Sequence, residues 1–329
     1  MAIDLLALEP HKVSRDLRGY SVLFYGEPKS GKTTIASKFP NSLLLAFEKG
    51  YNALAGIMAQ PINSWAEFIK VTRQLKDDQV KEKFSTIIID TADIAYSYCE
   101  KYICSNNGAN TIADIPFGKG YALVGNEFDE KLRSIVQMGY GIVLISHATD
   151  KVFKDESGVE YNKIVPTLDK RANNIVSRMT DIIGYSRAVT DDKGENKTML
   201  FMRGTQRYEA GSRFKYTPDY IEFSYDNLVN AIADAINKQA EEDGDKFFTD
   251  DKENSNLDTS TNFDFDALME EFKELITKFE KDEEKMETYY APRITQIIDK
   301  ILGKGKKVNE MSREQAEQLS LIIDDLKAL

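Results

Sequence analysis

Cysteine, histidine and tryptophan are scarce in this chain: its 329 residues include two cysteines, two histidines and one tryptophan. Cys99 and Cys104 lie within one predicted helix and form no CxxC pair, and no histidine cluster lies near them. These absences exclude a disulfide framework and a zinc site of the usual ligand spacing. A reducing cytosol is therefore the expected compartment.

Long apolar segments are absent as well. No run approaches the roughly 20 residues that span a bilayer, and the first residues lack the basic-then-apolar order of a signal peptide. We therefore expect a cytoplasmic protein with no membrane partner. The apolar content of 42% and the charged content of 29% are those of a globular protein, and the length can hold one large domain and one small one.

The first 239 residues carry no net charge. The net charge is −11, and residues 240–329 alone contain 24 acidic and 13 basic residues, so the rest of the chain is neutral. Neutrality neither indicates nor excludes nucleic-acid binding, because that depends on local patches of charge.

The chain is organised around residues 26–33, Gly-Glu-Pro-Lys-Ser-Gly-Lys-Thr, which fit the phosphate-binding pattern G-x-x-x-x-G-K-[ST]. Gly26 and Gly31 permit backbone angles that a Cβ would forbid, so the N–H groups between them can surround phosphate oxygens. We expect Lys32 to reach the β- and γ-phosphates of ATP and the Thr33 hydroxyl to ligate Mg²⁺. A helix that begins near Gly31 directs its positive end at the same anion.

The surroundings of this loop favour phosphate binding over a Gly/Lys-rich surface turn. The apolar run 20–25 before it predicts a buried strand, and residues 34–39 after it predict a helix that Pro40 ends. The residues expected to contact the nucleotide are Gly26, Glu27, Pro28, Lys29, Ser30, Gly31, Lys32, Thr33 and Thr34.

Strands and helices alternate through the first 240 residues, a pattern typical of parallel βαβ units. The predicted strands are 20–25, 42–47, 84–89, 141–145, 181–187 and 199–202, and the predicted helices are 34–39, 65–75, 94–103, 121–137, 169–179 and 227–238. A further alternating segment predicts an exposed hairpin over 150–166.

Composition divides the chain into three segments. Residues 1–240 form the predicted α/β ATPase domain. Residues 241–262 are acidic and rich in Ser, Thr and Asn, which predicts a flexible linker that is either a solvated tether or a segment that mimics nucleic acid or docks a partner. Residues 263–329 carry three apolar stripes at helical spacing, which predict a small all-α bundle.

Acidic side chains complete the predicted catalytic site. Asp90 ends the third strand, where a carboxylate can hold Mg²⁺ together with Thr33, although an Asp there can also cap a helix. The attacking water also needs a base. Thr91 stands after Asp90, where many such ATPases carry Glu, so Glu48 at the end of the second strand is the first candidate and Asp93 the second. The alternative for Glu48 is a solvated turn.

Ser146 and His147 end the fourth strand, at the same predicted edge of the sheet. A polar side chain there can contact the γ-phosphate and report its loss to the following loop. The alternative is a surface or core histidine with no part in the nucleotide site.

The order of these motifs resembles the core of RecA-type recombinases. It is most similar to phage-encoded RecA-like ATPases of the single-strand annealing, Sak-four type. The resemblance covers residues 18–238, and the segments that carry it are 25–34, 89–91, 117–121 and 145–147. It implies a RecA-like P-loop core with a mainly parallel sheet, in which Glu48 activates water and His147 senses the γ-phosphate.

The resemblance also implies two DNA-binding loops, at 105–119 and 148–165. These segments contain the lysines Lys119, Lys151, Lys154 and Lys163 and the aromatic residues Phe117, Phe153 and Tyr161. Lysines can bind phosphates and rings can stack on bases, as single-strand binding requires. The alternative is an ordinary exposed hairpin.

RecA-like ATPases complete their site across a subunit boundary, so the resemblance implies a homo-oligomer, either a filament or a ring. Residues 200–205 resemble the element that carries the basic residue, which makes Arg203 the arginine-finger candidate and Arg207 the second. Phe201 stands where ring helicases carry an additional lysine.

We therefore expect an Mg²⁺-dependent ATPase of phage recombination in the host cytoplasm. It would assemble on single-stranded DNA, be stimulated by it and promote annealing or strand pairing, with a single-strand-binding protein as a candidate partner. The rival hypotheses are a nucleotide-switched interaction module and a ring motor in phage replication or packaging.

Overall fold

A computed structural model describes residues 6, 10–190, 193–251 and 263–329, and contacts divide the chain into two units, Met1–Thr259 and Ser260–Leu329. The strands of the first unit are β1 (Val13–Ser14), β2 (Ser21–Gly26), β3 (Ser42–Ala46), β4 (Ala59–Pro61), β5 (Thr86–Asp90), β6 (Gly141–Lys154), β7 (Glu160–Pro166), β8 (Ile182–Thr190), β9 (Asn196–Phe201), β10 (Gly211–Ser212), β11 (Tyr220–Glu222) and β12 (Phe248–Thr249). Its helices are α1 (Lys32–Ala36), α2 (Trp65–Gln74), α3 (Asp78–Lys83), α4 (Ala92–Asn106), α5 (Lys119–Gln137), α6 (Lys170–Met179) and α7 (Tyr225–Asp243).

The central sheet is mainly parallel, as predicted. Its order is β11-β9-β8-β2-β6-β5-β3-β4, and every pairing from β8 to β4 is parallel. Strands β9, β10 and β11 pair in antiparallel fashion at one side, and β7 pairs with the extended end of β6. The predicted fold class, an α/β core with a helical C-terminal region, is confirmed.

Helices cover both faces of the sheet because the central strands are apolar on both sides. Successive residues of β5 point to opposite faces: Ile87 and Ile89 pack with α2, α4, α5 and α6, whereas Ile88 packs with α1 and α7. All three isoleucines are fully buried. This burial explains why these strands are continuous apolar runs in the sequence.

Register brings the carboxyl ends of the parallel strands to one edge, which we call the carboxyl edge. Gly26 of β2 lies beside His147 of β6 and Ser186 of β8, and Ala46 of β3 lies beside Asp90 of β5. The polar residues that follow the apolar runs are therefore neighbours in space although they are far apart in sequence.

Strand β6 is longer than the predicted 141–145. It leaves the sheet after His147 and pairs with β7 from Ala148 opposite Pro166 to Lys154 opposite Glu160. The predicted hairpin is thus a direct extension of a central strand of the sheet. Strand β4 and helix α3, in contrast, have no counterpart among the predicted elements.

Regular structure continues past residue 241, the predicted start of the linker. Helix α7 continues to Asp243, and β12 pairs with β1, which buries Phe248. The acidic residues beside it are held by Arg15, whose guanidinium contacts Asp245 at 2.9 Å and Asp250 at 3.2 Å. The composition of this segment indicated a solvated tether, because composition alone does not reveal that Arg15, far away in the sequence, pairs with these acidic residues. Residues 252–262 of the predicted linker lie outside the described residues.

The second unit is helical: α8 (Phe265–Glu280), α9 (Glu283–Lys285), α10 (Ala291–Leu302) and α11 (Ala316–Lys327). Its core joins Phe279 and Ile294 to the fully buried stripe Leu319, Ile322, Ile323 and Leu326 of α11. Within the described part of the chain, no helix combines the length and apolar character needed to cross a bilayer.

Candidate nucleotide-binding site

The loop between β2 and α1 has the backbone of a phosphate loop. Gly31 caps α1 with φ 85°, and Lys29 has φ 65°, so two residues adopt the left-handed conformation that turns backbone N–H groups inward. At Gly26, a Cβ would lie 2.2 Å from the carbonyl oxygen of Ser186, so a larger residue would collide with β8. Glycine is therefore required where β2 meets the loop.

Lys32 is buried beneath this loop, with only 5% of its surface exposed. Its Nζ donates hydrogen bonds to the carbonyl oxygens of Glu27 at 2.7 Å and Gly26 at 3.1 Å. Burial lowers the pKa of the Lys32 ammonium, and the nearby Asp90 and Glu48 carboxylates oppose that effect. The side chain thus places a cation at the centre of a ring of backbone dipoles.

Asp90 lies at the end of β5, with 2% of its surface exposed. Its Oδ2 accepts a hydrogen bond of 2.7 Å from the Thr33 hydroxyl, and its Oδ1 is buried without a hydrogen-bond partner. An orphaned carboxylate oxygen beside a hydroxyl is a donor set that suits a hard divalent cation. Thr33 and Asp90 therefore fit Mg²⁺.

The buried Asp90 carboxylate also destabilises the folded protein. Burial raises its pKa from 3.8 to about 6, so at pH 7 the folded protein holds a carboxylate that its surroundings disfavour. Between these pKa values the folded state binds the proton and the unfolded state does not. Stability therefore falls as pH rises through that interval, and the penalty is complete above about pH 6.

We accordingly expect Asp90→Asn, which keeps an acceptor for Thr33, to raise the free energy of unfolding at pH 7 by about 1–3 kcal/mol. Urea denaturation without nucleotide measures this difference. The advantage should disappear below about pH 4, where both states of the wild type are protonated. The control Asp234→Asn, on an exposed face of α7, should change stability by less than about 0.5 kcal/mol. A less stable Asp90→Asn variant at pH 7 would contradict this account.

Glu48 and His147 face each other at the same edge. The backbone N–H of Glu48 donates to the carbonyl oxygen of Asp90 at 3.2 Å, which fixes the residue beside Asp90. Glu48 Oε2 lies 3.7 Å from His147 Nε2, and both side chains are about 30% exposed. The Nδ1 atom of His147 is buried without a partner. These two polar groups can therefore reach a ligand held by the phosphate loop.

Asp93, the second base candidate, has a different environment. Its Oδ2 accepts a hydrogen bond of 2.6 Å from the Thr167 hydroxyl, which lies 3.1 Å from the Ser146 hydroxyl. The backbone N–H of Thr167 also donates to the carbonyl oxygen of His147. Asp93 is thus tied to the base of the hairpin, and Glu48 has the freer carboxylate.

Comparison with known proteins agrees with this geometry. A family model described as an AAA domain matches residues 18–214. The chain belongs to this AAA domain family. The matched range contains the phosphate loop, Asp90, Glu48 and His147, so this part of the chain is an AAA-type P-loop ATPase domain.

Two further similarities were found. The SPbeta prophage-derived uncharacterized protein YorG of Bacillus subtilis (strain 168) is 34% identical over 335 residues, covering 100% of this chain and 99% of that protein. The crystal structure of flagellar accessory protein FlaH from Methanocaldococcus jannaschii matches at 12% identity with a TM-score of 0.34, covering 65% of this chain and 86% of that one.

The predicted finger of the AAA domain, Arg203, is engaged elsewhere. Its guanidinium donates to the carbonyl oxygens of Lys215 at 2.6 Å and of Phe214 and Thr217 at 3.1 Å. Because β9 runs antiparallel to β8, the chain after Phe201 heads away from the carboxyl edge. In this subunit Arg203 holds the loop 214–217, and its assignment as the finger that completes a neighbouring subunit's site stays a prediction. Arg207, the second candidate, is exposed beside β7.

One contact of the AAA domain's phosphate loop escapes prediction from sequence. The Ser186 hydroxyl lies 2.8 Å from the Ser30 hydroxyl of the phosphate loop, and the next residue, Arg187, is exposed at the carboxyl edge. Both lie in the middle of β8, where that strand passes the end of β2. In the sequence, Ser186 and Arg187 are a polar pair at the end of the predicted strand 181–187, which is a signal for a site residue. The sequence does not show, however, that β8 lies beside β2.

The four predicted DNA-binding lysines of the AAA domain are at its surface. Lys119 is exposed at the start of α5, and Lys151 donates to the carbonyl oxygen of Leu168 at 3.2 Å. Lys154 forms an exposed ion pair of 3.2 Å with Glu160, and Lys163 Nζ lies 5.9 Å from the centre of the Phe153 ring. The last three belong to the hairpin, which follows directly from the strand that carries His147.

Proposed function

We propose that this AAA-type ATPase hydrolyses Mg²⁺·ATP and acts on single-stranded DNA in phage recombination, by annealing or strand pairing. The observation that carries the proposal is the continuity of β6: one strand contributes Ser146 and His147 to the nucleotide site and then forms the exposed hairpin with β7. A change at the γ-phosphate therefore has a short covalent route to the proposed DNA-binding surface.

In the nucleotide site, each residue has a role that its geometry allows. Lys32 neutralises charge on the β- and γ-phosphates, while Thr33 and Asp90 hold Mg²⁺, which supplies Lewis-acid stabilisation when bound. Glu48 accepts a hydrogen bond from the attacking water and orients it. His147, beside Glu48, contacts the γ-phosphate.

Thr167 links this site to the hairpin. It follows β7 and contacts Asp93, Ser146 and the carbonyl oxygen of His147, so both strands of the hairpin are fixed at the carboxyl edge. A rigid base of this kind transmits a displacement of His147 to the distal part of the hairpin instead of absorbing it.

The surface chemistry of the hairpin suits a single strand. Phe153 stacks on Tyr161 with ring centres 5.9 Å apart, and the adjacent lysines Lys151, Lys154 and Lys163 can pair with phosphates. In the other predicted loop, Phe117 is 96% exposed and has φ 60°, a strained conformation for a bulky residue. An exposed ring held in this way is available for base stacking.

The biological setting of the proposal rests on similarity. The relative YorG is described as prophage-derived, and the motif order resembles the Sak-four type of single-strand annealing ATPases. Assembly into a filament or ring on DNA and cooperation with a single-strand-binding protein are parts of the same proposal.

The test is ATPase activity with and without single-stranded DNA across protein concentration. We expect DNA to stimulate turnover of the wild type. Lys151→Ala/Lys154→Ala should weaken DNA binding, remove the stimulation and reduce the slope of log K against log salt by about 1.4, for two phosphate contacts. The control Lys70→Ala/Arg73→Ala, on the exposed face of α2, should behave as the wild type. Equal turnover with and without DNA would favour an interaction module instead.

A further inference from the structure

A row of cations outside the hairpin follows helix α6. Lys170, Arg171 and Arg178 are exposed on this helix, and Arg133 of α5 and Arg213 flank its far end. Arg171 and Arg178 are seven residues apart, about 10 Å along the axis. The helix begins at the carboxyl edge, after β7, and ends before β8 at the opposite edge.

The carboxylates along this row are already occupied. Asp129 pairs with Arg133 at 2.7 Å, and Asp181 lies 3.4 Å from Arg213. Asp169 caps α6, where it accepts a hydrogen bond from the backbone N–H of Ala172. Among the described residues, no carboxylate forms an ion pair with Arg171 or Arg178. The five cations and three carboxylates therefore leave a positive balance carried by exposed guanidinium groups.

These side chains line a groove. A cavity of about 550 Å³ between α5 and α6 is lined by Lys170, Arg171, Arg133 and Arg178, and a neighbouring cavity of about 740 Å³ shares the last two and adds Arg213. At Gly125 of α5, a Cβ would lie 2.7 Å from Arg171 Cδ. The absence of a side chain at this position leaves room for the Arg171 stem to lie across the groove.

The groove begins close to the base of the hairpin. Lys151 donates to the carbonyl oxygen of Leu168, two residues before Lys170. Tyr121, close to Lys119 at the start of α5, lines the same cavity as Lys170. The cations at the base of the hairpin and those of α6 therefore form one track from the carboxyl edge towards the opposite edge.

We propose that this α5–α6 groove binds the backbone phosphates of a single strand of nucleic acid that leaves the hairpin. Guanidinium groups suit this ligand because their fork of donors matches two phosphate oxygens. The inference rests on the proposed function and extends it, since it assigns a second part of the DNA footprint that has no residue of the hairpin and no contact with the nucleotide site.

The test compares oligothymidylates of about 6 and about 20 nucleotides by fluorescence anisotropy, with a slowly hydrolysed ATP analogue and Mg²⁺. Arg171→Gln/Arg178→Gln should leave affinity for the short strand unchanged and reduce affinity for the long strand about tenfold. The salt slope for the long strand should fall by about 1.4. Arg171→Lys/Arg178→Lys, which keeps the charges, should retain most of that slope, and Lys70→Gln/Arg73→Gln is the control for charge removed from an exposed helix.

The outcomes separate the two proposals. Unchanged affinity of the Gln variant for the long strand overturns the groove and leaves the hairpin proposal intact. Equal loss for both strands also overturns it, because the arginines would then belong to the hairpin site or to the fold. If the wild type binds neither strand, the proposed function fails, and the groove assignment fails with it.

Discussion

Glu48→Gln is expected to lower kcat for ATP hydrolysis by about 10²–10⁴-fold while changing ATP affinity little. The backbone N–H of Glu48 donates to the carbonyl oxygen of Asp90 at 3.2 Å, and the side-chain Oε2 of Glu48 lies 3.7 Å from His147 Nε2. An amide of the same shape keeps this position but is a far weaker acceptor for a proton of the attacking water. Single-turnover hydrolysis and equilibrium binding of an ATP analogue measure the two effects separately.

Asp93→Asn is the matched comparison because Asp93 is the other acid near the site. Its Oδ2 is engaged by Thr167, so we expect at most about a tenfold loss of kcat from a displaced hairpin base. Glu82→Gln, on the exposed helix α3, should have no effect. Normal turnover by Glu48→Gln together with a large loss in Asp93→Asn would reverse the two roles.

Much of the nucleotide site could be predicted because its parts are local in sequence. The phosphate loop is one contiguous pattern, and each buried strand is a short apolar run followed by a polar residue. In a parallel sheet the ends of such strands meet at one edge, so Asp90, Glu48 and His147 could be expected near Lys32 before their distances were known. This expectation required only that the strands run parallel, which the alternation of strands and helices indicates.

Features that depend on the direction of a strand or on pairing with distant residues could not be predicted from the sequence. A strand's own pattern does not tell whether it runs parallel or antiparallel, so the position of Arg203 after β9, which is antiparallel to β8, could not be predicted. The contact of Ser186 with Ser30 likewise depends on β8 lying beside β2. Acidic residues after α7 were assigned to a tether, since their partner, Arg15, is more than 200 positions away.

Lys32→Ala is expected to weaken ATP binding by about 10²-fold or more. The ammonium is buried under the phosphate loop, so water screens its charge poorly. Its hydrogen bonds to phosphate oxygens would be charge-assisted and therefore strong. Removing it also leaves the carbonyl oxygens of Gly26 and Glu27 without their donor, which should cost about 1–3 kcal/mol of stability. Calorimetric titration with a slowly hydrolysed analogue and Mg²⁺ measures the affinity, and urea denaturation measures the stability.

Lys32→Met separates charge from packing, because it keeps most of the aliphatic stem and removes the cation. We expect it to lose ATP binding as fully as Lys32→Ala, since the bound phosphates need the positive charge and not the stem. Lys70→Ala, which removes a lysine from the exposed face of α2, should bind ATP as the wild type does. If Lys32→Met retained wild-type affinity, the ammonium would serve only to order the loop, and the backbone N–H groups between Gly26 and Lys32 would have to account for phosphate binding by themselves.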